Sequence, residues 1–182
     1  MSSPAFDERV YLREMALLLD QAVARMAGAF RETAVYTVSI WTDPDAGVSA
    51  VSFDTAENSA QKVAEAAEWS ARYHDRYLAA GNLDMARFFA PAERARNVNP
   101  RDFAFPELAT VEHRSFPKHW HEDTGGACWA QLGPALRRVQ ARALPRCAEL
   151  RLSSGAELAI NSAVDWYDHP LKIHPAEHSP AR

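Results

Sequence analysis

The sequence predicts an α+β fold, a single domain in which a small antiparallel sheet packs against three or more helices. Two observations carry this prediction. Residues 34–53 alternate apolar and polar side chains on both sides of a turn, and the stretches that flank them repeat apolar residues at helical spacing. The 182 residues fit one domain, which we place at residues 1–168, followed by a flexible C-terminal tail at residues 169–182.

Residues 34–53 are predicted to form the hairpin on which the sheet is built. Apolar and polar side chains alternate over residues 36–41 and the extended pattern resumes over residues 48–53. Between them lies DPDAG, in which Pro fixes one φ angle, Asp can accept hydrogen bonds from nearby backbone and Gly can adopt positive φ. We therefore expect two antiparallel strands whose turn carries two aspartates.

Three helices are expected around this hairpin. The first covers about residues 6–31, and the second covers residues 54–80, with Asp54 as its N-cap and the sheet as its packing surface. The third covers residues 127–144, interrupted where Gly133 precedes Pro134. Residues 91–123 are rich in proline and aromatic residues, and an edge strand at residues 108–112 is expected within them. A late strand follows at residues 157–166, after a turn at residues 153–155.

Composition and charge limit the classes of function. The net charge is −4 and the pI is near 6.0, which argues against non-specific nucleic-acid binding because that requires a dense basic face. The sequence contains no apolar run of about 20 residues, so no membrane span is expected. The charged N-terminus is unlike a signal peptide, and the chain has two cysteines, so we expect a cytoplasmic protein with free thiols.

No motif in the chain names a reaction. G-x-G-x-x-G, G-x-x-x-x-G-K-[ST], G-x-S-x-G and paired C-x-x-C are all absent from the sequence, and seven glycines leave little for a phosphate-binding loop. We therefore expect no cofactor. Cys128 lies seven residues after His121 and near a predicted helix start, but a buried structural cysteine is the favoured interpretation over a Cys–His nucleophile.

The densest group of reactive side chains lies in EHRSFPKHWHED, residues 112–123. In an extended segment His119 and His121 point the same way and could bind one metal ion, with Asp123 or His113 as a third ligand. This gives an alternative function, a small metal-assisted hydrolase. The competing interpretation of the segment is an exposed polar loop anchored by Trp120.

Two stretches resemble the small α+β immunity proteins encoded beside bacterial polymorphic toxins. They are VYTVSIWTDPDAGVSAVSFDTAENS at residues 35–59 and ELAINSAVDWYDHP at residues 157–170. The resemblance implies a non-enzymatic protein that binds a cognate toxin and covers its active site. It implies no catalytic residues, and it transfers no contact residues.

An acidic chain with aromatic residues near carboxylates also suits an inhibitor of a basic cleft. The candidate contacts with the toxin are Asp43 and Asp45 at the hairpin turn and Trp120, Glu122 and Asp123 in the irregular segment. A third hypothesis is a structural or adaptor domain that self-associates through its sheet.

Overall fold

The computed structural model describes residues 5–122 and 126–176, without the side chains of residues 121 and 122. In chain order the elements are α1 (Glu8–Ala29), β1 (Val35–Asp43), β2 (Val48–Asp54), α2 (Ala56–Ala79), α3 (Leu83–Phe88), a 3-10 turn (Pro100–Asp102), β3 (Phe105–Glu112), a 3-10 helix (Lys118–Glu122), α4 (Trp129–Cys147), β4 (Leu152–Ile160) and β5 (Asp168–Lys172). The five strands form one sheet in the order β3-β2-β1-β4-β5. The pair β1–β4 is parallel and the other three pairs are antiparallel. The predicted α+β class is confirmed, and the sheet extends beyond the hairpin on both sides.

Helices α1 and α4 cover one face of the sheet. The apolar side of α1 is buried from Tyr11 to Met26, and Asp7 caps its start by accepting hydrogen bonds from the backbone N–H groups of Arg9 and Val10. Helix α4 continues through Pro134, so the interruption expected there is wrong. A proline inside a helix costs about 3 kcal/mol. The buried side chains of α4 offset this cost, since Leu132, Leu136 and Val139 each contribute about 1.5–3 kcal/mol.

Helix α2 begins on the sheet and then leaves it. Thr55, rather than the expected Asp54, is its N-cap, and its hydroxyl accepts the Asn58 N–H at 3.1 Å. The Asp54 carboxylate instead accepts the backbone N–H groups of Thr55 and Ala104 and the Asn58 amide. Of the 24 residues of α2, all of which the structure describes, Ser59 alone is buried. The expected packing of this helix along the sheet is therefore wrong beyond its first turn, and α2 forms a helical hairpin with α3.

The loop at residues 91–103, which we call the strap, begins beside α2 and then crosses the second face of the sheet. Arg96 fixes the strap by donating hydrogen bonds to Thr37 Oγ1 at 3.1 Å and to the Gly155 carbonyl at 3.0 Å. Its Nε lies 3.2 Å from a Glu157 carboxylate oxygen, and its guanidinium lies over the Tyr36 ring. The irregular appearance of this segment in sequence therefore reflects a loop that Arg96 ties to β1 and β4, while the Asn97 backbone N–H donates to Ser59 Oγ of α2.

The C-terminal third differs from the sequence prediction in two places. The expected turn at residues 153–155 lies inside β4, where Gly155 adopts φ +74° beside the register shift between Val35 and Thr37 of β1. A glycine at positive φ gives the bulge that β4 needs to stay paired. The first part of the expected tail forms β5, and Ile173 after it is buried, so residues 169–173 belong to the domain. Residues 177–182 lie outside the described residues.

Candidate functional site: an acidic cleft at the ends of two parallel strands

A cleft of about 520 Å³ lies beyond the carboxyl ends of β1 and β4. Its walls come from the turn after β1, the loop after β4 and the residues at the start of α4. In open α/β sheets ligands bind outside the carboxyl ends of parallel strands, at the point where the loops that leave two adjacent strands diverge. The topology therefore places the cleft where a binding site is expected.

The turn after β1 presents Asp45 to solvent. One carboxylate oxygen of Asp43 accepts the backbone N–H groups of Asp45 at 2.9 Å and Ala46 at 3.0 Å, and Gly47 closes the turn at φ +64°. Both backbone bonds fix the turn, so Asp43 has a structural role besides its charge. Asp45 is exposed. The hairpin turn thus contributes two carboxylates to the cleft.

The loop after β4 is held to β1 by one buried amide. The Asn161 side chain accepts a hydrogen bond from the Thr42 N–H at 3.0 Å and donates one to the Thr42 carbonyl at 2.9 Å. It thus bonds both backbone groups of Thr42, as the backbone of a neighbouring strand would. Ser162 then accepts the N–H groups of Val164 and Asp165, which turns the chain back. The Trp166 ring packs edge-on against Trp41, with 5.7 Å between the ring centroids. These contacts set Asp165 and Trp166 opposite the hairpin turn.

The charge of the cleft is one-sided. Asp43, Asp45 and Asp165 line it, together with Trp129 and Trp166, and no lysine or arginine is among its lining residues in the part of the chain that the structure describes. Carboxylates beside tryptophan faces attract cations, because both the carboxylate charge and the ring quadrupole are negative where the cation approaches. The arrangement suits a guanidinium or ammonium group.

Comparison with known proteins found no family model, no curated protein and no solved structure that matches this chain. The resemblance to immunity proteins therefore stays a prediction. Among the described residues, no helix is both long enough and apolar enough to cross a bilayer.

A chain of buried hydrogen bonds runs behind the floor of the cleft. The Tyr11 hydroxyl lies 2.8 Å from Thr42 Oγ1, Thr42 Oγ1 lies 2.6 Å from Ser49 Oγ, and Ser49 Oγ lies 2.7 Å from His113 Nε2. His113 Nδ1 lies 2.7 Å from a Glu14 carboxylate oxygen. Burial lowers the pKa of His113, although the bond to Glu14 opposes that shift. A neutral imidazole donates from Nδ1 to Glu14 and accepts the Ser49 hydroxyl at Nε2.

The Glu14, His113 and Ser49 distances match those of a hydrolase triad, but the environment does not. A nucleophilic serine must reach the substrate, and Ser49 is completely buried beneath α1. Its oxygen is also shared with Thr42. The chain of hydrogen bonds therefore satisfies buried polar groups between α1 and the sheet. Sequence reasoning missed it, because its members come from four separate elements.

The predicted contact residues have different outcomes. Asp43 and Asp45 both line the cleft. Trp120 is 1% exposed and packs against Phe6 and Phe116, so it is a core residue and not a surface contact. Its large apolar ring is stabilised more by this aromatic cluster than by water. The Glu122 side chain and Asp123 lie outside the described residues.

The metal alternative gains no support from the residues that the structure describes. His119 is exposed, while the His121 side chain and Asp123 lie outside the described residues. His113 is not available as a third ligand, because both of its ring nitrogens are engaged in buried hydrogen bonds. Among the described residues no group of three or more His, Cys, Asp or Glu side chains could hold a metal ion.

Both cysteines are buried, as the favoured interpretation expected. Cys128 lines the cleft at the start of α4, and burial raises the pKa of Cys147 to about 12.

Half of the cleft was not predicted from the sequence. Asp165, Trp166 and Trp129 were assigned to a strand or to a helix start, and the pairing of β4 with β1 that brings them to the hairpin turn is non-local. A local signal was present, because Ser162 and Asp165 have the spacing of a serine-initiated turn.

Proposed function

We propose that this protein neutralises a cognate bacterial toxin by docking on the toxin's basic active-site surface, as an immunity-type binding protein. The observation that carries the proposal is the convergence of Asp43, Asp45 and Asp165 on one cleft with Trp129 and Trp166 in its walls. The fold provides the scaffold, and the cleft provides the contact surface.

The chemistry of the cleft matches what such a toxin presents. Enzymes that act on nucleic acids or other anionic substrates gather lysine and arginine around the active site. A rim of carboxylates competes for those cations, and complementary charge also speeds the encounter of the two proteins. The tryptophans supply the large, desolvated contact area that dominates most interfaces. A basic side chain of the toxin would lie between Asp45, Asp165 and the Trp166 ring.

The test is co-expression with the product of any toxin-like gene that is encoded beside this chain. We expect the wild-type chain to protect cells and to co-purify with that product. Asp45→Arg is the most informative variant. Asp45 is exposed, and the side chain that accepts the hydrogen bonds of the turn is that of Asp43. Reversing a charge inside a complementary interface should raise Kd by about tenfold or more.

The matched control is Glu93→Arg, which makes the same change of charge at an exposed position of the strap. It should bind as the wild type does. Absence of both protection and complex formation for the wild-type chain would refute the proposed function. Equal affinities for the Asp45→Arg and wild-type chains would refute the assignment of the cleft as the contact surface.

A further inference from the structure

The outer side of α2 carries four exposed side chains in one row. Glu65, Trp69, Arg72 and Arg76 follow one another at spacings of four, three and four residues, so they share one face of the helix. The Trp69 side chain is 45% exposed. Tryptophan and arginine are the residues most enriched where protein interfaces gain their affinity. We call this row the α2 stripe.

Apolar rings at the C-terminal end of α3 extend the stripe. The Phe89 ring centroid lies 5.1 Å from that of Trp69, and the Phe88 ring lies 5.0 Å from Phe89. Phe88 is 78% exposed, which is a large apolar surface to leave in water. The exposed rings therefore form a patch at the side of the α2–α3 hairpin, and none of them lines the acidic cleft.

We propose that the α2 stripe docks on the same stripe of a second copy of this chain, with the two α2 helices antiparallel about a two-fold axis between Ser70 and Ala71. In this register Glu65 of one copy faces Arg76 of the other, and Trp69 of one copy faces Arg72 of the other. Each contact occurs twice, as a closed two-fold interface requires. The inference concerns a surface that the proposed function does not use.

The charge order along the helix selects the second copy and its direction. The acidic member of the stripe lies toward the start of α2 and its two arginines lie toward the end. Antiparallel helices place opposite charges together, whereas parallel helices would place Glu65 on Glu65 and Arg76 on Arg76. The arginine that faces Trp69 can lie over the indole ring, a favourable contact for a cation.

The apolar contacts supply the affinity, and the ion pairs supply the direction. Exposed ion pairs contribute little on their own, so burial of Trp69 and Phe88 must hold the dimer together. Glu65 already accepts hydrogen bonds from Lys62 at 2.7 Å and Gln61 at 2.8 Å. A carboxylate has about four acceptor positions, so Arg76 of the second copy can be added without breaking those bonds.

The experiment is sedimentation velocity of the full chain over a series of concentrations up to about 100 μM, a range that detects Kd values into the micromolar region. We expect a reversible dimer for the wild type. Arg76→Glu should raise the dimer Kd about tenfold or more, because it places two carboxylates together. Trp69→Ala should weaken the dimer at least as much. Glu65→Arg combined with Arg76→Glu should restore it, since the opposite charges face each other again.

Arg13→Glu on the exposed side of α1 is the matched control and should leave the dimer unchanged. Circular dichroism of every variant shows whether the fold is retained. A wild-type chain that is monomeric throughout the series overturns the proposal. So does a dimer that is indifferent to Trp69→Ala and Arg76→Glu, or one that the double charge exchange does not restore. Toxin binding by the cleft is measured separately, so its failure leaves this result intact.

Discussion

In the hydrogen-bond chain behind the cleft, Thr42 and Ser49 each donate one hydrogen bond and accept one, and Glu14 fixes the direction. Its carboxylate accepts a hydrogen bond from the N–H at His113 Nδ1. His113 Nε2 must therefore accept a hydrogen bond from the Ser49 hydroxyl, and Ser49 must accept one from the Thr42 hydroxyl. Thr42 in turn accepts from Tyr11, whose phenol pKa is raised by burial. A fully satisfied buried network of this kind favours a single arrangement of α1 over the sheet.

Replacement of Ser49 by alanine should therefore reduce stability. The change leaves His113 Nε2 without its donor and Thr42 without an acceptor, and a buried unsatisfied polar group costs about 1–3 kcal/mol. Urea unfolding followed by circular dichroism measures the loss. Ser154→Ala makes the same chemical change at an exposed position of β4 and should lie within about 0.5 kcal/mol of the wild type. Equal losses for both variants would contradict a special role for the network.

At the scale of elements, Arg96 is the strap residue that links two strands of the sheet. The guanidinium joins β1, through Thr37, to β4, through Gly155 and Glu157. Both members of the ion pair are largely buried, with side chains 11% and 14% exposed. Burial tends to raise the pKa of Glu157, but Lys172, Arg96 and Tyr167 outweigh that effect and the pKa is lowered. The Glu157 carboxylate is thus charged in its ion pair with Arg96.

Arg96→Ala should release the strap. Loss of one partner of a buried, multiply hydrogen-bonded ion pair costs about 2–4 kcal/mol, and Arg96→Lys should recover little because lysine lacks the planar fork. Hydrogen exchange over residues 91–103 is the direct measurement, and its rate should rise in the variant. Arg94→Ala, at an exposed position of the same strap, is the control. Unchanged exchange in Arg96→Ala would show that other contacts hold the strap.

The elements that sequence reasoning found are those specified by local pattern. Alternation around DPDAG gave β1, β2 and the positions of Asp43 and Asp45, and helical spacing gave α1. The course of α2 was missed because its apolar residues serve α3 and residues 91–95, not the sheet. Trp120 was expected to contact the toxin, but its ring packs into the core, as the competing interpretation of an anchored loop predicted. The parallel pairing of β4, and with it Asp165 and Trp166, depends on contacts that no local window contains.

At the scale of the whole molecule, His113 should make stability depend on pH. Its pKa in the folded chain lies below 6.5, so the unfolded chain binds more protons as the pH falls below about 6.5, and stability decreases toward acid. The lowered pKa values of Glu157 and Asp168 have their effect only below about 4.5 and 3.8. The interval between pH 5 and 7 therefore isolates the histidine contribution.

Urea midpoints at several pH values in that interval test this expectation. The wild type should lose stability as the pH falls, and His113→Gln should lose less over the same range while being less stable throughout. His169→Gln, at an exposed histidine, is the control and should follow the wild type. A wild-type midpoint that does not change between pH 7 and 5 would contradict the direction of the His113 shift.

The parallel pairing of β1 with β4 also has a consequence for synthesis of the chain. Val35 pairs with Leu152, a separation of 117 positions, whereas β1 and β2 are joined by a short turn. The hairpin can therefore form early on the ribosome, but β1 keeps one unpaired edge until β4 has emerged. An unpaired edge is a template for pairing with other chains. A chaperone that protects nascent chains would find its target on β1.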